Sequence, residues 1–299
     1  MTGTPQIEER READAEADWY QAAPGTWMPR EDLDGAPLER IRLPDTKHRS
    51  RTQIYYDAVL EVCQRPAPGP VVVQMLTNMR PNAVPWLRRL KANGVAVLYS
   101  VSQFPTWPQK PVKRIFRSRG YRRVYNEFDA LVTNSETLKD FLREIGVTTR
   151  IEYIPNGVNL QRFHPVQGEI EKQGRQALRA RFGIPEDHRV IAVVGAIMPR
   201  KGSDDIIRAW QIALREHPDS HVLFVGPRAD THDPKLKAFG QKIAGLIETS
   251  GAPNQVHFAG VVDDVESYLR ASDLFILASR REGTPNSVLE AMASQLPVS

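Results

Sequence analysis

Two short segments carry residues whose types and spacing suit phosphate and sugar chemistry. The first reads Val193-Val194-Gly195-Ala196-Ile197-Met198-Pro199-Arg200-Lys201-Gly202-Ser203. An apolar run ends in glycine, a short loop carries two cations, and Ser203 can N-cap the helix that follows. Cations beside the positive end of a helix favour an anion, and phosphate is the common one. There is no Gly-x-Gly-x-x-Gly spacing, and Gly202 follows the lysine while Pro199-Arg200 precede it, so this is not a Walker A loop. Read alone, the segment fits an ordinary glycine turn equally well.

The second segment reads Arg281-Glu282-Gly283-Thr284-Pro285-Asn286-Ser287-Val288-Leu289-Glu290-Ala291-Met292. Pro285 stands where a helix can begin. Val288, Leu289 and Met292 form the face expected in the core, and Asn286 and Glu290 share another face one turn apart. Glu282 and Glu290, eight positions apart, bracket a helix N-terminus whose amides can hold phosphate. A carboxylate accepts paired hydrogen bonds from vicinal hydroxyls, and a nucleoside diphosphate sugar alternates such hydroxyls with phosphates. Taken in isolation, two glutamates on an amphipathic helix more often face solvent.

Elements that would position these segments follow from the periodicity. Strand-like runs fall at 71–76, 95–101, 130–133, 150–154, 190–195, 221–226, 255–259 and 273–278. Helical patterns fall between them at 52–64, 82–93, 111–127, 135–145, 203–217, 234–250, 263–271 and 286–294. β-branched runs separated by helices imply parallel strands covered on both faces, a doubly wound α/β architecture. The turn signal at Pro155-Asn156-Gly157, followed by a polar helical stretch before Val190, puts a break between two α/β halves near residues 155–168.

The bulk composition narrows the class. Hydrophobic residues make up 41% and charged residues 25% of 299, and the net charge of +4 points to no nucleic-acid partner. Cys63 is the single cysteine, which suits a reducing, cytoplasmic compartment. No run reaches the roughly 18–20 apolar residues of a spanning helix. Residues 1–18 are polar and charge-dense, and disorder is expected there. Lys110, Lys113, Arg114, Arg117, Arg119, Arg122 and Arg123 fall in a stretch without an acid, with Val112, Ile115, Phe116 and Val124 on the expected core side. Such a helix, Lys110 to Arg123, suits anionic lipid or an anionic acceptor, although most basic faces are merely solvated. His164, His217, His221 and His257 show no partner spacing and receive no role, and no metal-ligand cluster is visible.

Taken in order, ALVTNSETLKDFLREIGV (130–147), PNGVN (155–159), Gly195 with Lys201-Gly202, FAGVVDDVESYLRASDLFILAS (258–279) and REGTPNSVLEAMA resemble the family 4 glycosyltransferases. The resemblance spans about residues 70–299, and the glutamate segment is its most specific part. It implies a GT-B fold: two Rossmann-like domains facing a cleft, an acceptor-side domain at 19–158 and a donor-binding domain at 159–299. The implied activity is transfer of a sugar from a nucleotide-sugar donor to a carbohydrate or lipid-linked acceptor with retention of configuration. That is carbohydrate biosynthesis, placed in the cytoplasm or at the inner membrane face. No cofactor or metal is implied, since the nucleotide sugar is a substrate and protein cations take the place of Mg²⁺.

By the same resemblance, Lys201 is the cation on the donor diphosphate, and Glu282 contacts the donor sugar; these two are the catalytic candidates. Glu290 contacts ribose, the backbone around Gly283, Thr284 and Asn286 holds sugar and phosphate, and the chain at Val261 borders the base. Gly195 and Arg200 complete the donor loop. The sequence departs from the family at Ala196, where arginine is usual, and at 97–103, which lack the family's strand-end histidine. The glycine-rich loop after the first strand is missing and the chain stops as another strand begins, so both domains are expected to be incomplete. A non-catalytic nucleotide-sugar-binding remnant, or a fragment of a larger transferase, is therefore the rival reading. Nucleotide-sugar epimerisation is a weaker third.

Overall fold

The computed structural model describes the chain from residue 49 onward except 67–68, 77–78, 106–110 and 229–232, together with 31–33 and 36–38. The expected disorder at 1–18 and the basic residue Lys110 lie outside the described residues.

Two short strands, β1 (Glu31–Leu33) and β2 (Ala36–Leu38), pair antiparallel. Helix α1 (Arg49–Cys63) follows, then β3 (Val72–Met75), α2 (Val84–Ala92), β4 (Ala96–Val101), α3 (Pro111–Tyr125), β5 (Ala130–Thr133), α4 (Glu136–Glu144) and β6 (Arg150–Tyr153). Strands β3 to β6 form one sheet in that order. Its alternation is physical: every second residue of β4 and β5 is buried, Val97, Tyr99 and Val101 on one and Leu131 and Thr133 on the other.

The remaining elements are α5 (Gly168–Arg181), β7 (Arg189–Val194), α6 (Ser203–Ala213), β8 (Ser220–Val225), α7 (Pro234–Glu248), β9 (Val256–Gly260), α8 (Val265–Arg270), β10 (Leu274–Phe275) and α9 (Asn286–Ala293). Their sheet is parallel, with strand order β10-β7-β8-β9. Strand β8 is central and buried at every position, as a strand covered on both faces requires. On one face Val193, Val222 and Phe224 pack with Ile206, Ile207 and Trp210 of α6 and Phe239 and Ile243 of α7. Opposite them, Leu223 and Val225 meet Tyr268 of α8, and Phe275 meets Leu269 and Ala291. The chain divides into two compact units. One takes the chain to Ser100 with Pro108–Leu131 and Ile145–Arg150; the other takes Val101–Trp107, Val132–Glu144 and Ile151–Ser299.

The strand order has a consequence for the site. After β9 the chain returns across the sheet and lays β10 on the far side of β7. The chain leaving β7 and the chain leaving β10 therefore run to helices on opposite faces of the sheet, and ligands of open α/β sheets lie at the carboxyl edge of such a switch point. A buried cation braces the opposite, amino end of this sheet. Arg179 donates to the carbonyls of Ala271, Glu186 and His188 at 2.9–3.0 Å and to Asp273 Oδ2 at 2.6 Å. Asp273 also accepts from the Val190 amide and from Arg175.

Two core expectations are corrected. Met292 is 60% exposed, and the buried face of α9 is instead formed by Ala291, with Val288 packed beside it. Phe116 is 67% exposed while Val124 is buried, so the core side of α3 leaves out Phe116.

Candidate functional site

Gly202 sets the geometry of the first loop. The short 3₁₀ turn Pro199–Lys201 ends at Gly202, whose φ of +67° is left-handed and which itself stands as the N-cap of α6. Glycine is also demanded sterically. A Cβ here would overlap the Ala278 carbonyl oxygen and sit 2.9 Å from that residue's carbonyl carbon and Cβ. Ser203 is thus not the cap that its type suggests: it is the first helical residue, it is buried, and no side chain caps this helix.

Close approach of the two loops brings the charged residues together. The Arg280 amide donates to the Arg200 carbonyl at 2.9 Å, and Arg200 Nη1 donates to the Arg281 carbonyl at 3.1 Å. Glu282 Oε1 then receives Lys201 Nζ at 2.8 Å, Arg200 Nη1 at 2.9 Å and Ser279 Oγ at 2.6 Å. Burial alone would push the Glu282 carboxyl up. The hydrogen bonds from Lys201 and Ser279, and the charges of Lys201 and Arg200, outweigh it and hold the carboxyl below the usual carboxylate range. Arg200 and Lys201 thus form one ion cluster with Glu282, some eighty positions further along the chain.

Gly283, Thr284 and Asn286 lie in the turn between this cluster and α9. The Asn156 side-chain Nδ2 donates to the Thr284 carbonyl at 2.9 Å and to Asn286 Oδ1 at 2.6 Å. Thr284 Oγ1 donates to the Asn134 carbonyl, within the same compact unit. Pro285 is the N-cap of α9 and provides no side-chain cap, so the first amides of this helix have no capping side chain. Glu290 lies one turn along α9 from Asn286. Burial, its largest influence, pushes the Glu290 carboxyl up, Arg162 pulls it down and Glu266 adds to the rise. Gly195, at φ +136°, ends β7 with Lys201 Cε lying 3.6 Å from where a Cβ would stand. Val261, just past β9, is 75% exposed, and Ala196 places no charge in the β7 loop.

Three features escape a reading of the sequence. Ser279 looks like any loop serine until Glu282 folds onto it. Asn156 sits in a turn motif that says nothing of its partners. The histidines do have partners: His188 Nδ1 lies 2.9 Å from His221 Nε2, and His221 Nδ1 lies 2.9 Å from His257 Nε2. These rings come from the start of β7 and from neighbouring β8 and β9. No linear spacing announces them.

Residues 6–157 match the family model described as glycosyl transferase 4-like domain, about half of the chain. This chain belongs to that glycosyltransferase family. Residues 174–298 match a second model, glycosyl transferases group 1. The putative teichuronic acid biosynthesis glycosyltransferase TuaC of Bacillus subtilis is 25% identical over 297 residues, covering 98% of this chain and 64% of TuaC. A GDP-mannose-dependent monoacylated alpha-(1-6)-phosphatidylinositol monomannoside mannosyltransferase of Corynebacterium glutamicum is 28% identical over 202 residues, 64% of this chain and 48% of that protein. The glycosyltransferase-family chain therefore spans about half to two thirds of the length of these curated relatives. Among solved structures, Anabaena HepE in complex with UDP-glucose superposes with a TM-score of 0.62 at 19% identity, over 81% of this chain and 62% of HepE. That likeness concerns the fold, and with it the α/β architecture of two parallel sheets found in GT-B glycosyltransferases. No helix among the described residues is long and apolar enough to cross a membrane.

Proposed function

We propose that the chain carries the donor site of a retaining transferase that moves a sugar from a nucleoside diphosphate sugar to a carbohydrate or lipid-linked hydroxyl. The observation carrying this reading is the convergence of Lys201, Arg200 and Ser279 on Glu282 where β7 and β10 part. In this reading the diphosphate takes the place beside Lys201 and the N-terminus of α9. The Glu282 carboxylate, kept ionised by its neighbours, accepts from the donor sugar, Glu290 accepts from ribose, and Val261 borders the base. As the glycosidic bond to the diphosphate breaks, negative charge grows on the leaving phosphate and positive charge on the anomeric carbon. Lys201, Arg200 and helix amides are aimed at the former, and each such donor is typically worth about 2.7–4 kcal/mol. The reading needs no metal ion.

The names of the relatives suggest which donors to test, UDP-glucose and GDP-mannose. Calorimetry should find one of them, or its nucleoside diphosphate, bound to the chain. Lys201→Ala should weaken the nucleoside diphosphate by about 1.5–3 kcal/mol, the range of a charged hydrogen bond. Unchanged affinity removes Lys201 from the site. Ala196, where the family usually has arginine, favours the binding-only reading. Donor binding with no transfer to a broad acceptor panel would support it.

The acceptor side of this reading includes a membrane. Phe116, 67% exposed beside exposed Arg117 and Arg119, gives α3 an apolar and cationic surface suited to the anionic inner face. Sedimentation with phosphatidylglycerol vesicles, lost at high salt and on Phe116→Ser, is the expected result; no sedimentation removes this contact.

A further inference from the structure

We propose that Ser279 is a positioning residue for the donor sugar: its hydroxyl fixes the Glu282 carboxylate so that Oε2 is the oxygen presented to a sugar hydroxyl. This inference rests on the donor-site reading above. Oε1 receives three donors within 2.9 Å, from Ser279, Lys201 and Arg200. A carboxylate oxygen has two lone pairs, so Oε1 has no capacity left. Among the described residues Oε2 has no hydrogen-bond partner, and the side chain keeps 16% of its surface open. The carboxylate therefore offers one oxygen rather than a two-pronged fork, and its orientation decides where that oxygen points.

The three donors differ in what a diphosphate does to them. Lys201 is a point charge on a flexible stem, and an arriving phosphate competes for it directly. Arg200 divides one nitrogen between Glu282 and the Arg281 carbonyl. Ser279 is neutral, so a phosphate has little claim on it, and its stem is a single carbon on a loop held by the Arg280 amide bond to Arg200. Its hydroxyl has one proton, and two acceptors are near: Glu282 Oε1 at 2.6 Å and the Arg200 carbonyl at 3.3 Å. The charged, closer acceptor takes it. When Lys201 turns to the diphosphate, Ser279 keeps the carboxylate in place.

The test uses Ser279→Ala and Ser279→Thr in this chain, both first shown folded by circular dichroism. A carboxyl ¹³C NMR titration should show the Glu282 pKa rising in Ser279→Ala and staying near wild type in Ser279→Thr. Calorimetry should compare UDP with UDP-glucose and GDP with GDP-mannose. Ser279→Ala is expected to weaken whichever nucleotide sugar binds by about tenfold while changing its nucleoside diphosphate less than about twofold, and Ser279→Thr should restore the difference. A purely structural loop serine would weaken both ligands alike, and that result, or an unmoved Glu282 pKa, overturns the role. Wild-type chain that binds neither nucleotide sugar overturns the donor-site reading and this role with it. Binding by wild type with no discrimination in Ser279→Ala overturns this role alone.

Discussion

Gly202→Ala tests the packing of the site without touching a charged group. Two costs add. The left-handed φ of +67° disfavours any residue with a Cβ by roughly 1–2 kcal/mol. The new Cβ would also stand 2.9 Å from the carbonyl carbon and Cβ of Ala278, inside the roughly 3.5–4.0 Å of a relaxed carbon contact. One loop must move, and overpacking of this kind typically costs about 1–3 kcal/mol. The sum is about 2–5 kcal/mol, read as a lower urea midpoint with unchanged slope. Gly174→Ala is the control. It sits inside α5 with open space where the Cβ would go, so the same substitution should stabilise by about 0.5–1 kcal/mol. Moving the Gly202 loop also displaces Lys201 from Glu282, so Gly202→Ala should lose nucleoside diphosphate affinity as well as stability. A Gly202→Ala protein within about 1 kcal/mol of wild type would refute the close-packed loop pair, and a destabilised Gly174→Ala would refute the comparison on which the reasoning rests.

Arg179→Met should destabilise by about 3–5 kcal/mol in urea titrations, because it removes the donor to three carbonyls and one of the three hydrogen-bond partners of Asp273. A loss below about 1 kcal/mol would show that the brace is dispensable. The histidine chain predicts a pH dependence. Burial, then the neighbouring His257, His188 and Arg179, push His221 down to about 4, so the folded state holds it neutral while the unfolded state protonates it near 6.5. Stability is thus fully present above pH 6.5 and falls as the pH drops toward 4, by at most about 3 kcal/mol from this residue. Urea midpoints across that range should decline more steeply in wild type than in His221→Asn, where buried His257, also pushed down, keeps part of the slope; parallel slopes would remove His221 as a cause. Glu290→Gln should weaken nucleoside diphosphate binding, whereas Glu282→Gln should spare the diphosphate and lower nucleotide-sugar affinity and, still more, transfer; equal losses of diphosphate affinity would show the two glutamates wrongly assigned.

Much of the fold was legible because local periodicity encodes it. The run at 130–133 coincides with β5, and the runs at 190–195 and 221–226 lie within a residue of β7 and β8. Glu282, Glu290 and Lys201 stood out only in combination: each segment alone fits a plain turn or a solvated helix, and it is their order along the chain that resembles the family 4 glycosyltransferases. Face assignments at element ends were less secure. Met292 and Phe116 fit an apolar stripe by spacing, yet only the neighbours actually packed against α9 and α3 decide which part of the stripe is covered.

By itself the sequence determined the elements, their parallel pairing class and the residue types able to meet phosphate and hydroxyl. Tertiary structure alone decided which of them touch. Laying β10 beside β7 joins Lys201 to Glu282 and reveals Ser279 as the third donor on one carboxylate oxygen. His188, just before β7, meets His221 of β8, which meets His257 of β9, because β7, β8 and β9 lie side by side. The physical cause is that periodicity reports which side of an element is buried, whereas strand order and loop approach set contacts between residues dozens of positions apart.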